Sequence, residues 1–133
     1  MINVNKQGQR VDLRWLARLE KIFRKQFKVS KDISLALVSD QEIRSLNKVY
    51  RRHDKVTDVL AFVWQDKDFL GEVVICPDQA RRQAIERQHS LTRELQILTI
   101  HGILHLLGFD HERSQTESKR QNTQEEKILK LLN

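Results

Sequence analysis

The chain has little cysteine, proline, methionine or glycine: one, one, one and four among 133 residues. A single cysteine, Cys76, excludes a disulfide within the chain, and such sparing use is typical of the reducing cytoplasm. No stretch rich in proline, glycine or serine divides the sequence into two parts. We therefore expect one domain over residues 1–133.

Long hydrophobic runs are also absent. The longest strongly apolar stretch, residues 95–107, contains two histidines and is shorter than the ~20 residues that a helix needs to cross a bilayer. The first residues, MINVNKQGQR, lack the continuous apolar segment of a signal peptide. The sequence therefore predicts a cytoplasmic protein with no signal peptide and no membrane partner.

Positive charge is concentrated in the first half of the sequence. Residues 1–60 hold 14 Lys and Arg against 7 Asp and Glu, whereas residues 61–133 hold 10 against 11. An excess of positive charge in one half can form a basic face that binds a polyanion such as RNA. A solvated surface of high pI explains the same composition, so charge alone leaves both interpretations open.

Hydrophobic periodicity predicts the element order βαβαββααα. The predicted strands are residues 1–6 (a weak edge strand), 33–39, 59–64 and 70–76, of which the last is β-branched and central. The predicted helices are residues 11–27, 40–50, 77–88, 90–107 and 115–132. We expect an α+β fold in which a small mixed sheet of about four strands packs with five or so helices, with a central apolar helix carrying metal ligands.

Three of the five histidines lie in HGILHLLGFDH, residues 101–111. His101 and His105 are four residues apart, so a helix places them on one face with Cβ atoms ~5–6 Å apart, where both imidazoles can bind one ion. Gly108 is placed to end the helix and turn the chain, which would return His111 as a third ligand. A lone buried histidine is more often a hydrogen-bonded core residue, but this spacing repeats known metal motifs. We therefore predict a metal site.

The ligand set favours a catalytic rather than a structural zinc site. Structural sites usually have four protein ligands, often cysteines, and Cys76 lies in another element. We predict one Zn²⁺ per chain with a position open for water. Asp110 is adjacent to the motif and would either bind the metal or orient an imidazole from outside the ligand set.

The histidine spacing also matches H-E-x-x-H-x-x-G-x-x-H of the metzincin peptidases, in which the glutamate is the general base. Gly102 occupies that position here, and Met1, the only methionine, is too distant in sequence to form a Met-turn. The sequence therefore argues against peptide hydrolysis. A metallopeptidase-like zinc hydrolase remains as an alternative.

Two further blocks, NKVYRRHDKVTDVLAF (residues 47–62) and LGEVVIC (residues 70–76), accompany the histidine motif. In this order and spacing, the three blocks resemble the YbeY family of bacterial metal-dependent endoribonucleases. Val56 and Ala61 stand where the family usually has proline and serine. The resemblance implies a single-strand-specific, zinc-dependent endoribonuclease that matures the 3′ end of small-subunit (16S) ribosomal RNA and acts in ribosome quality control. It implies RNA and the small ribosomal subunit as partners, with no DNA expected.

The same resemblance implies roles for individual residues. His101, His105 and His111 would be the zinc ligands, and Arg51 the functional arginine. A guanidinium suits this role because it can hold two nonbridging phosphate oxygens at once. Candidate RNA contacts beside Arg51 are Arg52, His53 and Lys55.

Several interpretations stay open at this point. The general base is Asp110, Glu112 or a metal-bound hydroxide, and an RNA 2′-hydroxyl is a further candidate nucleophile. The protein is alternatively a non-catalytic zinc-containing ribosome-assembly factor that binds RNA. We expect Arg81, Arg82 and Arg87 on a solvated helix face and Trp64 half-buried on its strand.

Overall fold

Four strands form one mixed sheet in the computed structural model, which describes residues 1–110 and 112–133. The strands are β1 (Ile2–Asn5), β2 (Asp32–Leu37), β3 (Val59–Val63) and β4 (Phe69–Ile75), in the spatial order β1-β2-β4-β3. β1, β2 and β4 run parallel, and β3 runs antiparallel to β4. The predicted mixed sheet is confirmed, with β4 inside the sheet and β1 at one edge. The other edge is β3.

The described residues form five helices, as predicted. They are α1 (Leu16–Phe27), α2 (Asp40–Arg51), α3 (Pro77–Arg87), α4 (Leu91–Leu106) and α5 (Gln115–Leu132). A serine hydroxyl at the start of three of them (Ser39, Ser90 and Ser114) accepts a backbone N–H of the first turn, which stabilises the helix end. Within the described ranges, no helix has the length and apolarity to span a membrane. The α+β fold is confirmed.

The first helix begins later than its hydrophobic pattern predicts. The predicted start at Val11 is wrong, because Asp12 forms a turn there: its Oδ1 accepts the Arg14 backbone N–H at 3.0 Å. A side chain that binds a nearby backbone N–H offers the chain an alternative to the helix. α1 therefore starts at Leu16.

α4 is the central helix of the fold. It packs against β3 and β4 of the sheet and against α3 and α5. Leu95, Ile100, Ile103 and Leu104 are each at most 1% exposed, so nearly every side of this helix is covered. The predicted central apolar helix is confirmed, and its burial holds the segment that carries His101 and His105 in one position.

Gly102 lets α4 approach β4 closely. A Cβ atom at this position would lie 2.6 Å from Cγ1 and 3.0 Å from Cγ2 of Val73, which is fully buried on the sheet. Such contacts are far shorter than van der Waals contacts, and a β-branched side chain in a strand is stiff. The position that bears the general base in metzincins therefore has no room here for any side chain.

A buried carboxylate joins α3 to α4. Glu94 is 0% exposed, and its Oε2 accepts hydrogen bonds from Gln83 Nε2 at 2.9 Å and from Arg87 Nη1 at 2.8 Å. His89 Nε2 lies 2.6 Å from the other oxygen. The predicted solvated position of Arg87 is thus only partly right, because this half-exposed guanidinium binds a buried glutamate. Buried carboxylates persist where such donors satisfy them.

We expect Gly102→Ala to lower the free energy of unfolding by about 1–3 kcal/mol, because the added methyl group overlaps Val73. Urea unfolding monitored by circular dichroism measures this change. Val73→Ala removes the obstacle but leaves a cavity, so the double variant should lose less stability than the sum of the two single variants. Additive losses would show that the two residues do not meet.

Cys76 is expected to react slowly with thiol reagents. It is buried, its Sγ donates to Asp40 Oδ1 at 3.1 Å, and burial raises the pKa of the thiol to about 11. At pH 8 about one thiol in a thousand is then ionised, and the thiolate is the reactive form. Iodoacetamide at pH 8 should label the folded protein far more slowly than the urea-unfolded chain, and equal rates would contradict this environment.

Candidate active site

An open cleft of about 340 Å³ lies between the end of α2, the edge strand β3 and the last turns of α4. It brings together residues from separate sequence blocks. Its lining consists of Tyr50, Arg51, Val59, Leu60, Ala61, Phe62, His101, Gly102, His105 and Glu112. Three predicted site residues, Arg51, His101 and His105, therefore share one cavity. Sequence spacing alone does not show that the arginine block meets the histidine helix.

His101 and His105 stand one turn apart on α4, and both are half-buried at the cleft. Their shared face follows from the i, i+4 spacing and from the burial of the rest of the helix. Two imidazoles that converge in this way fit a pair of metal ligands. Within residues 1–110 and 112–133, no third His, Cys, Asp or Glu completes a metal-binding group with them. His111, the predicted third ligand, lies outside the described residues.

Gly108 ends α4 as predicted. Its φ of +101° is in the region that favours glycine, and its N–H donates to the His105 carbonyl at 3.0 Å. The next residue, Phe109, donates its N–H to the Leu104 carbonyl at 3.1 Å. This pair of bonds is the Schellman motif, which terminates a helix and turns the chain. The segment that follows thus leaves α4 in a defined direction.

α5 supplies two side chains that hold the His101 ring. Glu125 Oε1 lies 2.6 Å from His101 Nδ1, and Gln121 Nε2 lies 3.1 Å from the same nitrogen. Gln121, which is fully buried, donates to Glu125 Oε1 at 3.2 Å and so holds the carboxylate that accepts from the ring. A carboxylate on one imidazole nitrogen fixes the ring and directs the opposite nitrogen, Nε2, toward a metal.

The sequence places Gln121 and Glu125 in line with the apolar residues of α5, although both side chains are polar. Gln121 continues the buried stripe of α5 that also contains Ile128 and Leu132, and half-buried Glu125 lies on the same side of the helix. Polar residues at core positions of an amphipathic helix need hydrogen-bond partners, and here the partner is a predicted metal ligand.

The surroundings of His101 favour positive charge. Burial alone lowers the pKa of the imidazole, but the hydrogen bond to Glu125 and the charges of Glu125, Asp58 and Glu112 outweigh it and raise the pKa above its ordinary value. Carboxylates that stabilise a charged imidazole also attract a metal cation. Asp58 is a contributor that the sequence interpretation missed, because it appeared only as part of a polar connection.

Arg51 is the last residue of α2 and is exposed at the cleft. α2 ends there because Arg52 takes a left-handed conformation with φ of 59°. The Nη2 atom of Arg51 lies 3.4 Å from Glu112 Oε1, a long contact between two exposed side chains. Exposed ion pairs contribute little stability, so a phosphate can compete with Glu112 for this guanidinium.

A second opening of about 330 Å³ adjoins the cleft and shares Arg51, Val59, His101 and Glu112 with it. Its other lining residues are Thr57, Asp58, Arg87, Ile97 and Leu98. Asp58 is held here by the N–H of Val59 at 2.8 Å and by Gln83 Nε2 at 3.2 Å. The site is therefore an open groove that passes His101, a shape suited to an extended polymer.

The other predicted RNA contacts lie outside the cleft. Arg52, His53 and Lys55 are exposed in the loop that follows α2. Buried Asn47 fixes this loop, since its Nδ2 donates to the Lys55 carbonyl at 3.0 Å and its carbonyl accepts the His53 N–H at 3.2 Å. The three side chains thus form a surface beside Arg51, and their role in RNA binding stays a prediction.

Asp110 and Trp64 are also outside the cleft lining. Asp110 Oδ1 accepts the N–H of Glu112 at 3.0 Å, so this carboxylate binds the backbone of a cleft residue. Its role at a metal stays a prediction. Trp64 follows β3 and is 56% exposed, more than the half-buried strand position that we expected, with its ring against Phe69 at 5.6 Å between centroids.

Known proteins are similar to this chain in sequence and fold. The family model described as Endoribonuclease YbeY matches residues 2–133. Endoribonuclease YbeY of Aquifex aeolicus is 47% identical over 105 residues, which is 76% of this chain and 70% of the relative. Endoribonuclease YbeY of Acholeplasma laidlawii is 43% identical over 117 residues, 86% of this chain and 84% of the relative.

A solved structure agrees with these matches. The solution structure of a Thermotoga maritima protein superposes with a TM-score of 0.71 at 32% identity, covering 99% of this chain and 89% of that one. Two of the three blocks that suggested the family in the sequence, residues 47–62 and 101–111, contribute residues to the lining of this cleft. The chain belongs to the Endoribonuclease YbeY family.

Proposed function

We propose that this protein is a zinc-dependent endoribonuclease that cuts single-stranded RNA, matures the 3′ end of 16S ribosomal RNA and acts in ribosome quality control. Family membership supports cleavage of RNA. The observation that carries the proposal is the shared open cleft of Arg51, His101 and His105. It combines a group that binds phosphate with a pair of groups that bind metal.

The donor set fits zinc. His101, His105 and His111 would hold one Zn²⁺ per chain, and the contact of Glu125 with Nδ1 of His101 would leave Nε2 of that ring for the metal. When bound, zinc supplies Lewis-acid chemistry: it polarises a phosphoryl oxygen and lowers the pKa of bound water. Imidazole nitrogen is a usual ligand of this borderline-soft cation.

Arg51 and Glu112 carry the remaining chemistry in this proposal. Arg51 binds the nonbridging oxygens of the scissile phosphate, where negative charge grows in the transition state. Glu112 lines the cleft and Asp110 does not, so Glu112 is the better placed of the two to accept a proton from water or from a 2′-hydroxyl. Glu112 and Arg51 both line the cleft and lie 3.4 Å apart, so each is within reach of a ligand bound beside the other.

The surface beside the cleft supports an RNA partner. The second opening adjoins the cleft at His101, and exposed Arg52 and Lys55 add positive charge next to Arg51. Such cations position a phosphate backbone without reading its sequence. We propose ribosomal RNA within the small ribosomal subunit as the substrate, and the cytoplasm stays the predicted location.

Two alternatives have less support. A metallopeptidase-like hydrolase of the metzincin type would need a glutamate at Gly102, where Val73 leaves no space. A non-catalytic assembly factor would need RNA binding but no exposed arginine beside the two histidines. Co-sedimentation with small subunits that survives the loss of all RNA cleavage would favour this second alternative.

We expect Arg51→Ala to lower kcat/KM for single-stranded RNA by about 100- to 1,000-fold, because a charge-stabilising donor is lost from the transition state. The kcat/KM of Arg51→Lys should lie between those of Arg51→Ala and the wild type, since lysine keeps the charge but not the bidentate geometry of the guanidinium. Gel-based cleavage of a labelled RNA measures both.

The matched control is Arg44→Ala, which removes an exposed arginine of the same helix that pairs with Asp54 away from the cleft. This variant should cleave like the wild type. A chelator should abolish wild-type cleavage, and added Zn²⁺ should restore it. Equal activity of the wild type, Arg51→Ala and the chelated protein would point to a contaminating nuclease and sink the proposal.

We expect Glu125→Ala to weaken Zn²⁺ binding about 10- to 100-fold, because the His101 ring loses the carboxylate that orients it. Competition with a chromogenic chelator measures the affinity, and circular dichroism checks the fold. Glu125→Gln should lose less, since an amide oxygen still accepts a hydrogen bond from Nδ1. Glu126→Ala, the exposed neighbour, is the control; an affinity unchanged in Glu125→Ala would refute this role.

A further inference from the structure

Tyr50 is an exposed aromatic residue on the rim of the cleft. Its side chain is 64% exposed, it immediately precedes Arg51, and it lines the cavity that contains both histidines. Its ring meets Phe62 of β3 edge to face, with centroids 5.1 Å apart and an interplanar angle of 67°. Neither hydrophobic core cluster includes Tyr50. Core packing therefore does not explain an aromatic side chain at this position.

The cleft has two kinds of wall. Tyr50, Phe62 and the aliphatic residues of β3 are apolar lining, whereas Arg51, His101, His105 and Glu112 are polar or charged lining. A nucleotide is divided in the same way, into a flat base with apolar faces and an anionic phosphate. Consecutive residues on a helix diverge by about 100°, so Tyr50 and Arg51 present a ring and a guanidinium to different parts of one ligand.

We propose that Tyr50 is a stacking platform for an unpaired base of the RNA, next to the phosphate that Arg51 binds. This inference rests on the proposed endoribonuclease function for its substrate. Every base has a π-face, so stacking on an aromatic ring tolerates any sequence. In a duplex, neighbouring base pairs cover those faces. The platform therefore selects single strands without reading base identity.

The edge contact with Phe62 prepares the ring for this role. Phe62 is half-buried on β3 and restrains Tyr50 from one side, so less side-chain freedom is lost when a base binds. Tyrosine also has few rotatable bonds, which further lowers the entropy cost of ordering it. Tyr50 thus acts in substrate binding, and the proposal assigns it no part in bond cleavage.

The test is cleavage kinetics with single-stranded RNA, separating KM from kcat, for the zinc-loaded protein. Tyr50→Ala should raise KM by about 5- to 100-fold with little change in kcat, as expected for the loss of one stacked base. Tyr50→Phe keeps the ring and should stay within about twofold of the wild type. Val49→Ala is the matched control, because Val49 is an exposed neighbour that does not line the cleft.

A second arm identifies the base. In a series of RNAs that each lack one base, a single position should raise the wild-type KM, and the same removal should have little further effect in Tyr50→Ala. Two results would overturn the stacking role: a KM of Tyr50→Ala equal to that of the wild type, or a rise in KM on base removal that is as large in Tyr50→Ala as in the wild type at every position. If Arg51-dependent cleavage persists in that case, the proposed function stands alone. A wild-type protein that cleaves no RNA would overturn both.

Discussion

The site depends on the close packing of α4 against the sheet. Gly102 removes the side chain that would separate this helix from Val73 of β4, and the surrounding leucines and isoleucines are almost fully buried. A helix held on so many sides cannot shift or rotate without opening the core. His101 and His105 are therefore presented to the cleft by the most constrained kind of element, which is what a metal site with defined ligand geometry requires.

Polar groups around this apolar helix complete the arrangement. Glu94 of this helix binds Arg87 of α3, and Gln121 and Glu125 of α5 lie against the His101 ring. Carboxylates thus accumulate near the imidazoles and favour a cation there, whereas Arg51 at the end of α2 favours an anion. A metal and a phosphate are the ligands that satisfy both tendencies in one cleft, and an aromatic rim beside Arg51 suits the base that accompanies the phosphate.

The sequence predicted features that depend on short-range patterns. The order of elements and the shared face of His101 and His105 both follow from periodicities of two or 3.6 residues. Asp12 shows the limit of this reasoning, because a side-chain hydrogen bond displaced the start of α1 although the apolar pattern continued. The left-handed Gly108 was predictable because only its own backbone is involved.

Features that depend on contacts between distant elements were not predictable in this way. Gln121 and Glu125 fall in line with the apolar residues of α5, but their partner is known only when α5 is placed beside His101, and Arg87 looks solvated until α3 meets Glu94. Gly102 first indicated only a missing peptidase base, and the packing on Val73 adds the physical reason.

The most direct test of the whole account is a crystal structure of the zinc-loaded protein with single-stranded RNA. We predict zinc on the three histidines with no fourth protein ligand and a phosphate held by Arg51; a fourth protein ligand, or RNA bound away from this cleft, would contradict the account.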